Sequence, residues 1–151
     1  MRILDTDVCV EILRGNRQVI ERRRWVADTV TTTWITAAEL SYGAAKSRSP
    51  EKNLERVQRF LGSLTVHGLD LPASHYFGRI KAHLEREGRR LADADLLIAS
   101  VTLARGAVLV TGNLRHYGRI PDLRIEDWIR DGVADQVHED PSPYRVWGEP
   151  L

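Results

Sequence analysis

The chain has 151 residues, long enough for one domain with a substantial core, and its 42% hydrophobic and 28% charged residues are ordinary for a globular protein. Lys and Arg number 22 against 21 Asp and Glu, so no overall basic charge points to a nucleic-acid partner and any basic surface has to be local. The single cysteine, Cys9, excludes an internal disulfide and a cysteine-built zinc site; no run reaches the ~18–20 apolar residues of a membrane span, and "MRILDTDV" is not a secretory leader, so a cytoplasmic protein with no membrane partner is expected.

Residues 2–5 read as a short strand that ends in acid, at Asp5 and again at Asp7. Helical spacing follows from Val8 through Leu13 and breaks at "RGN"; an Arg-rich helix is expected over 17–27. "TVTTTWIT", 29–36, is dense in β-branched residues and reads as a second strand, with a helix from Thr36 onward. "PEKNLERVQRFLGSL", 50–64, is amphipathic, and "TVHGL", 65–69, is a third strand. A helix over 72–88 starts with Pro and stops at Gly; another over 92–106 leads into a fourth strand, "AVLVT", and "LRIEDW" holds a short fifth. This alternation argues an α/β fold with a mostly parallel sheet of four to five strands flanked by helices. Beyond Trp128 the chain turns polar and Pro-rich without sustained periodicity. The expected division is one domain over 1–132 and a tail over 133–151.

In a parallel sheet the crossover helices run back against the strands, so helix N-termini and strand C-termini share one edge, where ligand sites of open α/β sheets lie. Asp5, Glu39, Asp95 and Asn113 all fall at that edge. Each has a purely structural explanation. Thr36 to Glu39 matches a capping box, Asp93 suits an N-cap, Asp95 suits a helix's first turn, Asp7 resembles an N-cap, and Asn113 suits a turn beside Gly112. Their convergence favours chemistry, because three carboxylates in one crevice repel one another unless a cation lies between them. Oxygen donors suit Mg²⁺ or Mn²⁺.

The stretches "ILDTDVCVEILRG", "ITAAELSYGAAKS", "ADADLLIASVTLARGAVLVTGN" and "RIPDLRIEDW" together resemble the PIN-domain ribonucleases of the VapC type, the toxins of toxin–antitoxin pairs. The resemblance covers about residues 1–130 and implies a three-layer α/β sandwich with a Mg²⁺- or Mn²⁺-dependent endoribonuclease site. It places the family's acids on Asp5, Glu39 and Asp95 as metal ligands and catalytic residues, with Asn113 where a fourth acid is often found. Asp7 stands where the family usually has Asn and adds a carboxylate. In the implied reaction Asp5 and Asp95 hold the principal cation. Glu39 binds a second or orients the attacking water, and Thr111 and Asn113 steady the surroundings. Arg115 and His116 are candidate RNA contacts, with Arg14, Arg17, Lys46, Arg48 and Arg119 as further cations. The resemblance also implies a cognate VapB-like antitoxin, with a groove expected along the helices of 8–27 and 50–61, and a homodimer. Two other readings compete with it. A receiver-like domain also clusters acids at strand ends, but Asp70 is poorly placed for phosphorylation and "TGN" supplies no Lys. A PIN-fold module that binds RNA or protein without cleaving it remains the alternative.

Overall fold

Ile3 and Leu4 are fully buried on opposite faces of the first strand, and this alternation sets the layering of the molecule. A computed structural model describes residues 1–130; the expected tail over 133–151 lies outside them. Among the described residues five short strands form one parallel sheet: β1 (Arg2–Leu4), β2 (Val30–Thr33), β3 (Thr65–His67), β4 (Val108–Val110) and β5 (Arg124–Glu126), in the order β3-β2-β1-β4-β5. Helices α1 (Thr6–Arg14), α2 (Arg17–Trp25), α3 (Trp34–Lys46) and α4 (Pro50–Leu61) bring Val8, Val19, Leu40 and Val57 onto the face that carries Leu4 and Val110. Helices α5 (Leu71–Arg86) and α6 (Asp93–Ala104) bring Ile80, Leu84, Leu96 and Ile98 onto the face that carries Ile3 and Leu109. The fold is the expected three-layer α/β sandwich, with all of these strands parallel.

Several boundaries differ from the sequence reading, each for a local reason. Asp5, rather than Asp7, caps α1: its Oδ1 accepts from the Thr6 N–H at 2.8 Å. The strand ends one residue before Asp5, so Asp7 falls inside the first turn. Gly15 closes α1 at φ +85, a left-handed conformation that few other residues adopt without strain. Strand β2 stops at Thr33, whose hydroxyl accepts from the Thr36 N–H at 3.1 Å, so α3 begins at Trp34. The expected Thr36–Glu39 capping box therefore does not form, and Glu39 lies in the second turn of α3. At α6 the cap is Ala92, with no side-chain bond, and not Asp93. The Asp93 carboxylate instead accepts from Lys81 Nζ on α5 at 2.7 Å. Leu114–Tyr117, for which the sequence predicts no element, form the one-turn helix α7.

Candidate functional site

Strands β1 and β4 are neighbours at the centre of the sheet, and the chain leaves them in opposite directions. The crevice beyond their C-terminal ends is the topological switch point, where open α/β sheets bind ligands. Asp5 follows β1 there and is only 6% exposed. The Thr6 N–H donates to its Oδ1 at 2.8 Å, and the Thr111 hydroxyl, one residue past β4, donates to its Oδ2 at 2.7 Å. Burial and the neighbouring charge of Asp7 hold the Asp5 carboxyl well above the usual carboxylate range. The bonds from Thr111 and Thr6 oppose that shift, and the charge of Asp95 adds to it.

Asp7 spans the switch point. Its Oδ1 accepts from the Val8 N–H at 2.7 Å and its Oδ2 from the Gly112 N–H at 2.8 Å. Burial pushes its carboxyl up to about 6, against the pull of those two N–H groups, with Asp127 and Glu11 adding to the rise. Gly112 is closely packed: a Cβ there would stand 2.9 Å from Ile129 Cδ1 and 3.0 Å from Asp7 Oδ2, so those side chains would have to shift.

Asp95, in the first turn of α6, faces the same crevice. The Tyr117 hydroxyl sits between the two acids, 3.3 Å from Asp5 Oδ1 and 3.5 Å from Asp95 Oδ1. Tyr117 is fully buried, and burial plus the charges of Asp5 and Asp95 raise its phenol well above the usual tyrosine range, so it stays a neutral donor. The other Asp95 oxygen, Oδ2, is 3.1 Å from His116 Nδ1, which is also 2.8 Å from the Asn113 amide nitrogen. Glu39 reaches the group through Thr6, whose hydroxyl donates to its Oε2. Thr6 Oγ1 is 3.5 Å from Thr36 Oγ1, which lies 3.3 Å from Thr33 Oγ1, so a row of threonines backs the acids.

The structure thus gathers Asp5, Asp95, Asn113 and His116 into one hydrogen-bonded group, with Glu39 joined through Thr6 and Thr111 holding Asp5. Arg115 is exposed beside them on α7. Arg14 is paired with Glu11 at 3.0 Å, and the Lys46 ammonium lies over the Tyr42 ring. Cys9 is buried and its thiol is pushed up by burial, which keeps it inert. The sequence reading missed Tyr117 and Thr6. The signal for Tyr117 is a single large aromatic four residues past Asn113, in an otherwise polar stretch.

Among the described residues, no three His, Cys, Asp or Glu groups surround a common point at ligand spacing. What the crevice offers is a set of hard oxygen donors, Asp5, Asp95 and Glu39, with Asn113 and Tyr117 between and beside them. Burial drives two of its carboxyls, Asp5 and Asp7, toward their protonated forms, and the charge of Asp7 adds to the rise at Asp5. Protons here offset crowded negative charge, and a small hard divalent cation meets the same need with the same atoms, so the donor chemistry fits Mg²⁺ or Mn²⁺.

Residues 2–122 match the family model of the PIN domain. The chain is 40% identical over 127 residues to the tRNA(fMet)-specific endonuclease VapC of Salmonella typhimurium, spanning 83% of this chain and 96% of that one. It is 36% identical to the ribonuclease VapC2 of Haemophilus influenzae, across 84% of this chain and 97% of that one. Among solved structures it is similar to VapBC2 of Rickettsia felis bound to a DNA fragment from their promoter, with a TM-score of 0.80 and 32% identity over 84% of this chain and 98% of the other. It is also similar to DNA-bound VapBC of Salmonella typhimurium, with a TM-score of 0.79 and 39% identity over 84% and 97% of the two chains.

Proposed function

From the premise that the chain belongs to the PIN-domain family, among its VapC ribonucleases, we propose that it is the toxin of a toxin–antitoxin pair, an endoribonuclease whose hydrolysis of RNA depends on Mg²⁺ or Mn²⁺ held by Asp5, Asp95 and Glu39. The observation that carries the metal reading is the meeting of Asp5 and Asp95 across the Tyr117 hydroxyl at the β1–β4 switch point. When bound, the cation supplies charge that offsets the phosphate and makes a water easier to deprotonate. The protein's own groups set the stage for that chemistry. Thr111 and the Thr6 N–H fix both oxygens of Asp5, so this carboxylate has one orientation. Tyr117, a neutral donor wedged against Asp5 and Asp95, holds the two acids in register. Glu39, whose Oε2 accepts from the Thr6 hydroxyl, would either help hold the cation or orient the attacking water as base. Arg115, exposed on α7 next to His116, would meet the RNA backbone.

The partner is a VapB-like antitoxin, as in the VapBC complexes this chain resembles. Its expected seat is the surface of α1, α2 and α4, where Trp25 at the end of α2 is 83% exposed. The test of the enzyme is cleavage of an RNA pool by the purified chain, with tRNA(fMet), which the Salmonella relative's name specifies, tried first. Cleavage with Mg²⁺ or Mn²⁺ and none in a chelator is the expected result. RNA bound but left intact under every metal condition would mean a binding module instead.

A further inference from the structure

We propose that the cavity between α5 and α6 is a guanine subsite, which seats one base of the RNA close to the bond that is cut. This inference rests on the reading of the chain as a ribonuclease and adds to it a sequence preference.

The cavity opens where the C-terminal half of α5 meets the first turn of α6, and it holds about 220 Å³. Sites for drug-sized ligands run to ~300–1,000 Å³, so this one suits a single small planar group. Its floor is apolar, built from the fully buried Leu84 and Leu96. Its walls carry both signs of charge. Lys81 Nζ and Asp93 Oδ1 are paired at 2.7 Å. Glu85 and Arg90 are exposed, and their side chains make no hydrogen bond or ion pair to any described residue.

Charge sorts the occupants. A phosphate is repelled by Glu85 and Asp93, and an ammonium group by Lys81 and Arg90. A neutral ring with donors and acceptors along its rim satisfies both signs and covers the apolar floor, and an unstacked nucleobase is such a ring. Guanine matches best among the bases. Its N1–H and 2-amino group are adjacent donors for the Glu85 carboxylate, and its O6 and N7 are adjacent acceptors for the Arg90 guanidinium. Adenine turns a lone pair toward the carboxylate and an amino group toward the guanidinium.

The position agrees with this use. Asp93 and Asp95 share the first turn of α6 but serve different sides of it. Asp93 meets Lys81 on α5, whereas Asp95 meets His116 and Tyr117 on α7. The cavity and the acidic crevice thus flank the start of one helix, which is ~10 Å across. A strand whose phosphate lies at the acids brings a base to the cavity within about two nucleotides of the cut.

The experiment gives the full chain, with Mg²⁺ or Mn²⁺, a pool of short RNAs of randomised sequence and sequences the cut ends. Guanosine is expected to be enriched at one position within about two nucleotides of the cut. Oligonucleotides that differ only there then carry guanosine, inosine, which lacks the 2-amino group, or 7-deazaguanosine, which lacks N7. For wild type, kcat/KM should be about tenfold lower for each analogue than for guanosine. Glu85→Ala should bring guanosine and inosine level, and Arg90→Met should bring guanosine and 7-deazaguanosine level. A purely structural role for either residue lowers all three rates alike and keeps their ratios. Ratios unchanged in the variants, equal rates for the three oligonucleotides in wild type, or a pool cut with no base or a different base enriched overturns the subsite and leaves the ribonuclease standing. If no RNA is cut with either ion, the ribonuclease reading falls and this inference with it.

Discussion

Asp95 is the residue at which structural and chemical explanations part. As a first-turn acid alone, its charge is worth about 0.3–1 kcal/mol, and Asp95→Asn would be nearly silent. Its contacts argue otherwise, since it shares Tyr117 with Asp5 and adds to the charge that disfavours ionised Asp5. Without metal, Asp95→Asn should therefore be at least as stable as wild type. With Mg²⁺ or Mn²⁺ at a hundredfold excess over Kd, wild type should gain about 2.7 kcal/mol by mass action. The variant should gain much less and lose RNA cleavage. Melting curves with and without metal, run beside a cleavage assay, check both halves; equal gains with cleavage retained would falsify the site. Asp7 gives a pH signature. Its folded pKa of about 6 lies above its unfolded value of 3.8, so its contribution to stability is fully present below about pH 4 and is lost as pH rises through 6. Asp7→Asn removes that loss. In chelator, the stability of Asp7→Asn relative to wild type should rise by about 2 kcal/mol between pH 4.5 and 7.5. Urea unfolding at several pH values measures this, and a flat difference would mean that Asp7 is ionised throughout.

The elements differ in how much of them could be read from residues alone. Long helices such as α4 and α5 were visible because apolar positions repeat at helical spacing, and the strands because β-branched runs lie between breakers. The placement of Asp5, Glu39, Asp95 and Asn113 at one edge followed from strand and helix polarity, which is a property of any parallel sheet. What could not be read was decided by side chains competing for the same backbone group. Thr33 and Thr36 both suit a cap, and only the packing of β2 selects Thr33. Asp93 suits a cap too, but Lys81 on a neighbouring helix draws it away. Helix α7 is a single turn, too short for any periodicity to mark, and the site contacts of Tyr117 and His116 were hidden with it. The Thr33 cap is directly testable. Thr33→Ala removes the acceptor for the Thr36 N–H and should cost about 1–2 kcal/mol in urea unfolding. Thr33→Ser keeps the oxygen and should recover most of that. Because Thr36 adjoins Thr6, which holds Glu39, the alanine variant should also cleave RNA more slowly.

At the scale of the whole molecule, the buried residues of both apolar layers among the described residues run from Ile3 to Trp128, with partly buried Ile129 packed against the second, and the sequence beyond Gly132 has no periodic apolar face. A chain ending at Gly132 should therefore keep its fold and its metal-induced stabilisation. A fall in Tm of more than about 10 °C, beyond a couple of kcal/mol for a domain of this size, would mean that the removed residues contribute to the body. The strand order bears equally on how the protein is made. Strand β1 leaves the ribosome first yet ends at the centre of the sheet, between β2 and β4. Two of the hydrogen-bond partners of Asp5, Thr111 and Tyr117, are 106 and 112 residues further along the chain. At ~5–20 residues per second, roughly ten seconds of synthesis separate the first acid from the groups that set it in place. Throughout that interval the nascent chain is expected to leave uncut the RNA around it, including the message being read. A transcript broken just after the codon for Asp95 yields a peptide that holds Asp5, Asp7, Glu39 and Asp95 but lacks β4, the strand beside β1, and with it Thr111 and Tyr117.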